Sequence, residues 1–126
     1  MELVDLANRG WALRYLREAR AELRLASERP NLSHVLSLEA ARKAQACIYH
    51  CLGSPRSLEM LVLDFLMEDQ QPRDRIMRLL LTVEQMIHVI SGSEDPQEAY
   101  QLALSVVALA SKVVRGVFGE GALAGP

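Results

Sequence analysis

Two cysteines and a histidine lie close together in the first half of the chain. Cys47 and Cys51 are four residues apart, and His50 lies between them. Residues four apart share one face of an α-helix, so this group could supply nitrogen and sulfur ligands to a metal. A zinc site needs four ligands, however, and the other histidines, His34 and His88, belong to other segments. Because both cysteines fall on an Ala-rich stripe, the sequence favours buried thiols and predicts no metal.

A second pair, Glu84 and His88, also has helical spacing. Carboxylate bundles that hold two metal ions use a Glu-x-x-His motif on two helices, whereas this spacing is one residue longer and occurs once. The favoured interpretation is that Glu84 and His88 are solvated or form a salt bridge with each other. No Gly-rich phosphate loop or serine-nucleophile motif is present either. An enzyme is therefore the less favoured class, and the sequence predicts no cofactor.

Clusters of cations could bind an anion. Three arginines precede or open the fourth predicted helix, although helix starts normally favour acids because the helix dipole is positive there. These cations could neutralise nearby acids, or they could bind phosphate together with free backbone N–H groups. With the pair on the second helix, the candidate anion- or nucleotide-binding residues are Arg42, Lys43, Arg73, Arg75 and Arg78.

The first helix carries the most coherent basic surface in the chain. Its arginines fall beside the core stripe at Arg9, Arg14, Arg17, Arg20 and Arg24. This surface is either an ordinary solvated face or a contact for nucleic acid, in which case affinity would fall with salt. The only aromatic residues nearby for base stacking are Trp11 and Tyr15. A net charge of −2 argues against a protein whose main role is to coat nucleic acid.

The hydrophobic periodicity of the 126 residues predicts helices throughout. Five are expected, over residues 2–29, 33–52, 54–68, 72–91 and 95–118. Because the connections are short, sequential helices should be antiparallel. The sequence thus predicts an all-α, antiparallel four- to five-helix up-and-down bundle. It would be a single domain over residues 1–119 with a flexible tail over residues 120–126.

Apolar stripes on these helices predict which sides are buried. The first helix has a stripe of Ala12, Tyr15, Leu16, Ala19, Leu23 and Ala26, and the second has Ala40, Ala41, Ala44, Cys47, Ile48 and Cys51. The fourth has Ile76, Leu80, Val83, Ile87 and Ile90. The third, LEMLVLDFLME, is apolar nearly all round and should be largely buried.

The fifth helix has a second apolar stripe beyond the one that its own domain requires. This stripe consists of Tyr100, Leu104, Val107, Val114 and Phe118. Surplus apolar surface commonly marks a partner, so we expect a homodimer or higher oligomer packed through these residues. The alternative is a monomer in which the fifth helix is central.

The sequence also bears on location. The N-terminus lacks the pattern of a secretory signal, and the uninterrupted apolar runs are far shorter than the roughly 20 residues of a membrane span. With only two cysteines, no disulfide framework is expected. We therefore predict a cytoplasmic protein that does not cross a membrane.

The order of these segments resembles the HEPN family, small helical bundles of prokaryotes. A long charged helix, WALRYLREARAEL, precedes an Ala-rich helix that carries the basic pair Arg42-Lys43 and ends at Leu52-Gly53. The closing segment, DPQEAYQLALSVVALASKVVRGVFG, is similar to the last helix of those bundles. The resemblance implies an antiparallel bundle that dimerises. It also implies a role among ribonuclease toxins, partners of small nucleotidyltransferases, or proteins that bind nucleotides or nucleic acid.

The ribonucleases of that family use an Arg, usually followed by a polar residue, and a His four to six residues after the Arg. Arg73-Asp74 has the matching position, but Arg78 stands where the His is expected. Arg29 and His34 have the spacing, yet they flank the first loop, and Pro30 follows the Arg. We therefore predict a non-catalytic, oligomeric HEPN-like bundle. The alternatives are a ribonuclease that uses Arg29 and His34, or a scaffold subunit of a hetero-complex.

Overall fold

The computed structural model describes residues 3–53, 55–68 and 74–123. The five α-helices of this part of the chain are α1 (Leu3–Glu28), α2 (Ser33–Leu52), α3 (Pro55–Glu68), α4 (Arg75–Gly92) and α5 (Pro96–Phe118). Short 3₁₀ turns cover Pro30–Leu32 and Glu120–Leu123. The described residues contain no strand, so the all-α prediction is confirmed.

Acidic caps fix where the last two helices begin. The Asp95 carboxylate accepts a hydrogen bond from the Gln97 N–H at 3.0 Å, and Pro96 takes the first helical position, as the sequence predicts. Asp74 caps α4 in the same way, accepting from the Ile76 N–H at 2.8 Å. That helix therefore begins at Arg75. Pro72, the predicted start of α4, and Ser54, the predicted cap of α3, lie outside the described residues.

Glycines end α2 and α5. Gly53 has φ of 139° and Gly119 has φ of 96°, which are conformations that side chains with a Cβ rarely adopt. The N–H of Gly53 bonds to the Tyr49 carbonyl at 3.1 Å, and the N–H of Gly119 bonds to the Arg115 carbonyl at 2.9 Å. The chain can leave each helix at these points without strain.

Small residues form the centre of the core. The buried stripe of α1 matches the predicted one except that Tyr15 is only half-buried, and the predicted stripe of α2 is buried in full. The buried face of α5 is also small, with Ala99, Ala103, Val106 and Ala110 at 0% exposure. Small side chains let helix axes approach closely, because little volume separates the backbones. Close packing of α2 against both α1 and α5 follows from this composition.

Side-chain contacts give the relative direction of neighbouring helices. Near the start of α1, Asn8 Oδ1 lies 3.1 Å from His50 Nδ1 near the end of α2. Further along α1, Glu18 accepts a hydrogen bond from Lys43, which is earlier in α2, at 3.3 Å. Because the numbers rise on one helix and fall on the other, α1 and α2 run antiparallel.

The second apolar stripe of α5 is covered mostly by the chain itself. Val107 is 6% exposed and Val114 is fully buried, while Tyr100 and Phe118 are half-buried against the core. Among the five residues that we expected at an oligomer interface, only Leu104 is exposed, at 37%. The reason is that α1 lies along this side of α5. Most of this stripe therefore offers little free surface to a partner.

The buried side of α4 is wider than its predicted stripe and shifted from it. Leu80, Val83, Ile87 and Ile90 are buried as expected, but Ile76 is 48% exposed, so its assignment to the core was wrong. Met77 and Leu81, which lie off the predicted stripe, are 5% and 8% exposed. Because α4 contacts both α2 and α5, it buries an arc wider than a single stripe.

The prediction that α3 is largely buried was wrong. Val62 is the only one of its described side chains to be buried, and Leu58 packs at the edge of the core. Large apolar side chains on the other faces remain in contact with solvent. The cause is position: the main contacts of α3 are with the neighbouring α2 and α4, and they are few, so α3 lies at the periphery of the protein.

Two features bear on the predicted tail and on membrane crossing. Within the predicted tail, Glu120–Leu123 forms a 3₁₀ turn that contacts α5, and Ala122 packs against the core. By length and composition alone, α5 could cross a membrane, with a mean hydropathy of 1.5. Its apolar character also matches its place in the core, where it contacts α1, α2 and α4.

Candidate nucleic-acid interface

A hydrogen bond joins the basic side of α1 to α5. Arg20 donates to the hydroxyl of Ser111 at 2.8 Å, and the Arg9 guanidinium lies 5.8 Å from the centre of the Phe118 ring. Position 9 meets position 118 and position 20 meets position 111, so these two helices also run antiparallel. The arginines of α1 therefore line a boundary shared with the last helix.

Five cations surround this junction. Arg17 and Arg24 lie one turn before and one turn after Arg20, on the same helix surface. On α5, Lys112 follows Ser111, and Arg115 lies one turn further along. All five are exposed. We call the set consisting of Arg17, Arg20, Arg24, Lys112 and Arg115 the basic surface.

Few acids oppose the basic surface. The segment from Ala99 to Phe118 contains no Asp or Glu, and Glu18 and Glu22 lie on the opposite side of α1, toward α2. Glu28, which is exposed one turn after Arg24, lies on the same side of α1 as the arginines. Within the described residues, the one ion pair of the set joins Arg115 to the highly exposed Glu120 at 4.0 Å, a separation at which solvent screens most of the attraction. The overall charge of −2 therefore conceals a separation of charge between two sides of the molecule.

Only part of the predicted basic face of α1 belongs to the basic surface, which also includes two residues of α5. Arg14 does not belong to the basic surface, because its guanidinium pairs with Glu18 at 3.0 Å and lies over the Trp11 ring. Lys112 and Arg115 were missed by sequence reasoning. The signal that could have found them is the absence of acids between Ala99 and Phe118, which is α5 beyond its first turn.

An aromatic stack lies on the other side of α1. The rings of Trp11 and Tyr15 are 5.8 Å apart, and His50 of α2 stacks 6.2 Å from Trp11 and 5.6 Å from Tyr15. Burial lowers the pKa of His50, so its ring is held mainly neutral near pH 7. Trp11 is 44% exposed. The stack is not part of the basic surface, which has no aromatic residue of its own.

Arg42 and Lys43 do not form an anion site together. The Lys43 ammonium contacts Glu22 and lies 3.3 Å from Glu18 and 3.8 Å from Glu39. The hydrogen bond to Glu22 raises the pKa of Lys43. With three carboxylates around one ammonium, the local charge is negative, which disfavours a bound phosphate. Arg42 is exposed beside this cluster.

The remaining predicted anion-site residues are not brought to the same place. Arg75 and Arg78 are exposed in the first turns of α4, next to α3, whereas Arg42 and Lys43 lie on the side of α2 near α1. Arg73 lies outside the described residues. The five residues therefore do not assemble into a single pocket within the part of the chain that the structure describes.

The alternative ribonuclease pair has a structural role for one of its members. His34 Nε2 lies 2.7 Å from the Ile90 carbonyl oxygen at the end of α4. That carbonyl can only accept, so Nε2 carries the proton and donates. Arg29 is exposed in the first loop. This hydrogen bond joins α2 to α4 and occupies Nε2 of the His34 imidazole.

The candidate metal ligands Cys47, Cys51, Glu84 and His88 make other contacts or face solvent. Cys47 and Cys51 are buried as predicted, and the hydrogen bond between them, together with burial, raises the pKa of Cys47. Glu84 hydrogen-bonds Gln45 on α2, while His88 is exposed. Among residues 3–53, 55–68 and 74–123, no group of three or more His, Cys, Asp or Glu side chains could hold a metal ion.

The chain matches no family model, and it has no significant match among curated proteins or solved structures. Any function must therefore be argued from its own residues.

Proposed function

We propose that this protein is a non-catalytic, homo-oligomeric HEPN-like helical bundle that binds nucleic acid through the basic surface. In this proposal α1, α2, α4 and α5 form an up-and-down arrangement, which the antiparallel pairing of α1 with both α2 and α5 supports. A small nucleotidyltransferase as a further partner follows only from the resemblance and stays a prediction.

One observation carries the binding proposal: five exposed cations lie on two helices that meet along one boundary, with two exposed acids, Glu28 and Glu120, beside them. A phosphate backbone supplies a row of negative charges, and its binding to Lys and Arg releases condensed counterions. The cations on α1 recur at about one helical turn, which suits repeated phosphate contacts. Because the basic surface has no aromatic side chain and no groove lined with hydrogen-bonding groups, we expect binding to depend weakly on sequence.

The ribonuclease alternative is less well supported. It requires His34 to act on RNA together with Arg29, yet the imidazole nitrogen of His34 donates to the Ile90 carbonyl. A general acid or base must reach the reacting atoms of the substrate. We therefore favour binding without cleavage.

Fluorescence anisotropy with a labelled 20-nucleotide oligouridylate tests the proposal. We expect binding in about 50 mM salt that weakens steeply by 200 mM, with a logarithmic slope near −3 if about four phosphates are neutralised. The double variant Arg17→Glu, Arg24→Glu should bind at least about tenfold more weakly. The double variant Arg42→Glu, Arg75→Glu is the matched control, because it changes the net charge by the same amount on other faces. It should weaken binding much less, and Arg42→Glu alone should have a smaller effect still.

Two results would contradict the proposed function. One is the absence of binding by the wild-type protein in low salt. The other is an equal loss in the control and the Arg17, Arg24 variant, because the binding would then reflect overall charge rather than the basic surface. Cleavage of the oligonucleotide that disappears in His34→Ala would support the ribonuclease alternative instead.

A further inference from the structure

The outward side of α3 is the most apolar exposed surface of the described chain. Five large apolar side chains of this helix are exposed: Met60 at 60%, Leu61 at 42%, Leu63 at 53%, Leu66 at 41% and Met67 at 85%. Ile76, at the start of α4, is a further exposed residue at 48%. Side chains of this kind are costly to leave in water, and a contiguous patch of them usually marks an interaction site.

Helical spacing gathers three of these residues into one stripe. Met60, Leu63 and Met67 are separated by three and four residues, so they recur on one face of α3. Val62, which is buried against the protein, projects on the opposite side. The stripe therefore points away from the core. An i, i+3, i+7 pattern of this kind is what a helix presents to a second helix.

Two opposite charges lie at equal distances from Met60 on this face of α3. Arg56 lies four residues before Met60, and Asp64 lies four residues after it, on the same face. Neither makes an ion pair with any residue in the described part of the chain. If two copies of α3 cross antiparallel at Met60, each Arg56 lies opposite the partner's Asp64.

Two other arrangements of a pair of α3 helices place like charges together. A parallel pair in register would set Arg56 against Arg56 and Asp64 against Asp64. An antiparallel pair centred between Leu61 and Val62 would set Glu59 against Asp64. Like charges in contact across an interface oppose association, so these two arrangements are less favourable than the crossing at Met60, which brings opposite charges together. A twofold axis through this point makes both Arg56–Asp64 pairs equivalent.

We propose that a second copy of this chain covers the outward side of α3, in an antiparallel pair of α3 helices that crosses at Met60. This inference rests on the proposed homo-oligomer and moves its interface from α5 to α3. Leu104 is the one exposed member of the α5 stripe, whereas α3 presents three large exposed side chains and two opposite charges on one face.

Charge-swap variants studied by analytical ultracentrifugation in the micromolar range test the pairing. The wild-type protein should sediment as a dimer. Arg56→Asp and Asp64→Arg should each raise the dimer dissociation constant at least about tenfold, because each puts like charges opposite one another. The double variant Arg56→Asp, Asp64→Arg should restore the dimer, because the exchange recreates both pairs. Circular dichroism should show unchanged helix content, since both side chains are exposed.

Leu104→Lys is the matched control for the α5 surface and should leave the dimer intact. The proposal is overturned by a monomeric wild-type protein, by single swaps that remain fully dimeric, by a double swap that stays monomeric, or by dissociation of Leu104→Lys. A dimer that survives the α3 swaps would keep the proposed homo-oligomer and reject only this interface. Oligonucleotide binding is measured separately, so its failure would leave the sedimentation result unaffected.

Discussion

The imidazole Nε2 of His34 lies 2.7 Å from the carbonyl oxygen of Ile90, so a side chain in the first turn of α2 is hydrogen-bonded to a carbonyl in the last turn of α4. The last carbonyls of a helix have no partner within the helix, and a donor from elsewhere satisfies one of them. This contact joins residues 56 positions apart in the chain. It assigns to His34 a role in stability that competes with the catalytic role suggested by its spacing from Arg29.

Replacing His34 by alanine should lower the free energy of unfolding by about 1 kcal/mol, because the Ile90 carbonyl loses the shorter of its two hydrogen bonds and keeps the Ser93 N–H at 3.3 Å. Urea unfolding followed by circular dichroism measures this change. His88→Ala is the matched control, since His88 is exposed on α4, and it should shift stability by less than about 0.5 kcal/mol. Equal effects of the two substitutions would contradict the assigned role.

Lys43→Met should destabilise the protein by about 1–3 kcal/mol, because it leaves the partly buried Glu22 carboxylate without its cation. Burial already raises the pKa of Glu22, and one of its carboxylate oxygens is buried without a hydrogen-bond partner. Arg42→Met, on the neighbouring position, should have little effect because Arg42 is exposed. Chemical denaturation at pH 7 would test the difference, and a larger loss in Arg42→Met would refute the explanation.

Acidification should destabilise the fold through His50. Burial lowers the pKa of this imidazole in the folded protein below the value of 6.5 expected for the unfolded chain. The unfolded state therefore binds more protons, and stability falls as the pH drops through 6.5 toward the folded pKa. We expect His50→Gln, which keeps a polar group near Asn8, to reduce this fall between about pH 7 and 5. Thermal unfolding across that range tests it, and an unchanged pH profile would exclude His50 as the cause.

The close approach of α2 and α5 predicts a strong dependence on side-chain size. Ala103→Leu adds volume at a position with 0% exposure and should cost at least about 1–3 kcal/mol. Ala108→Leu makes the same chemical change on the exposed side of the same helix and should be nearly neutral. Melting temperatures of the two variants provide the comparison. Similar values would show that the helices can separate to accept the larger side chain.

The local pattern of the sequence determined the helices and much of the core. The Asp95-Pro96 start of α5 and the glycine after α2 are dictated by backbone hydrogen bonding and by φ, which depend on adjacent residues only. The buried stripe of α1 follows from helical periodicity, because one side of this helix packs against the rest of the protein. The arginines of α1 that belong to the basic surface were also recognisable, because residues three and four apart share a face whatever packs nearby.

Tertiary structure alone decided which apolar faces are covered and which charges meet. Val114 is apolar in the same way as Met60, yet the first is fully buried in the core and the second is 60% exposed. Likewise, Lys43 and Lys112 are equally basic in sequence, but three carboxylates from two helices surround Lys43 while Lys112 is exposed beside Ser111. Burial and electrostatic pairing are sums over neighbours distant in the chain, and periodicity within one helix carries no information about which neighbours those are.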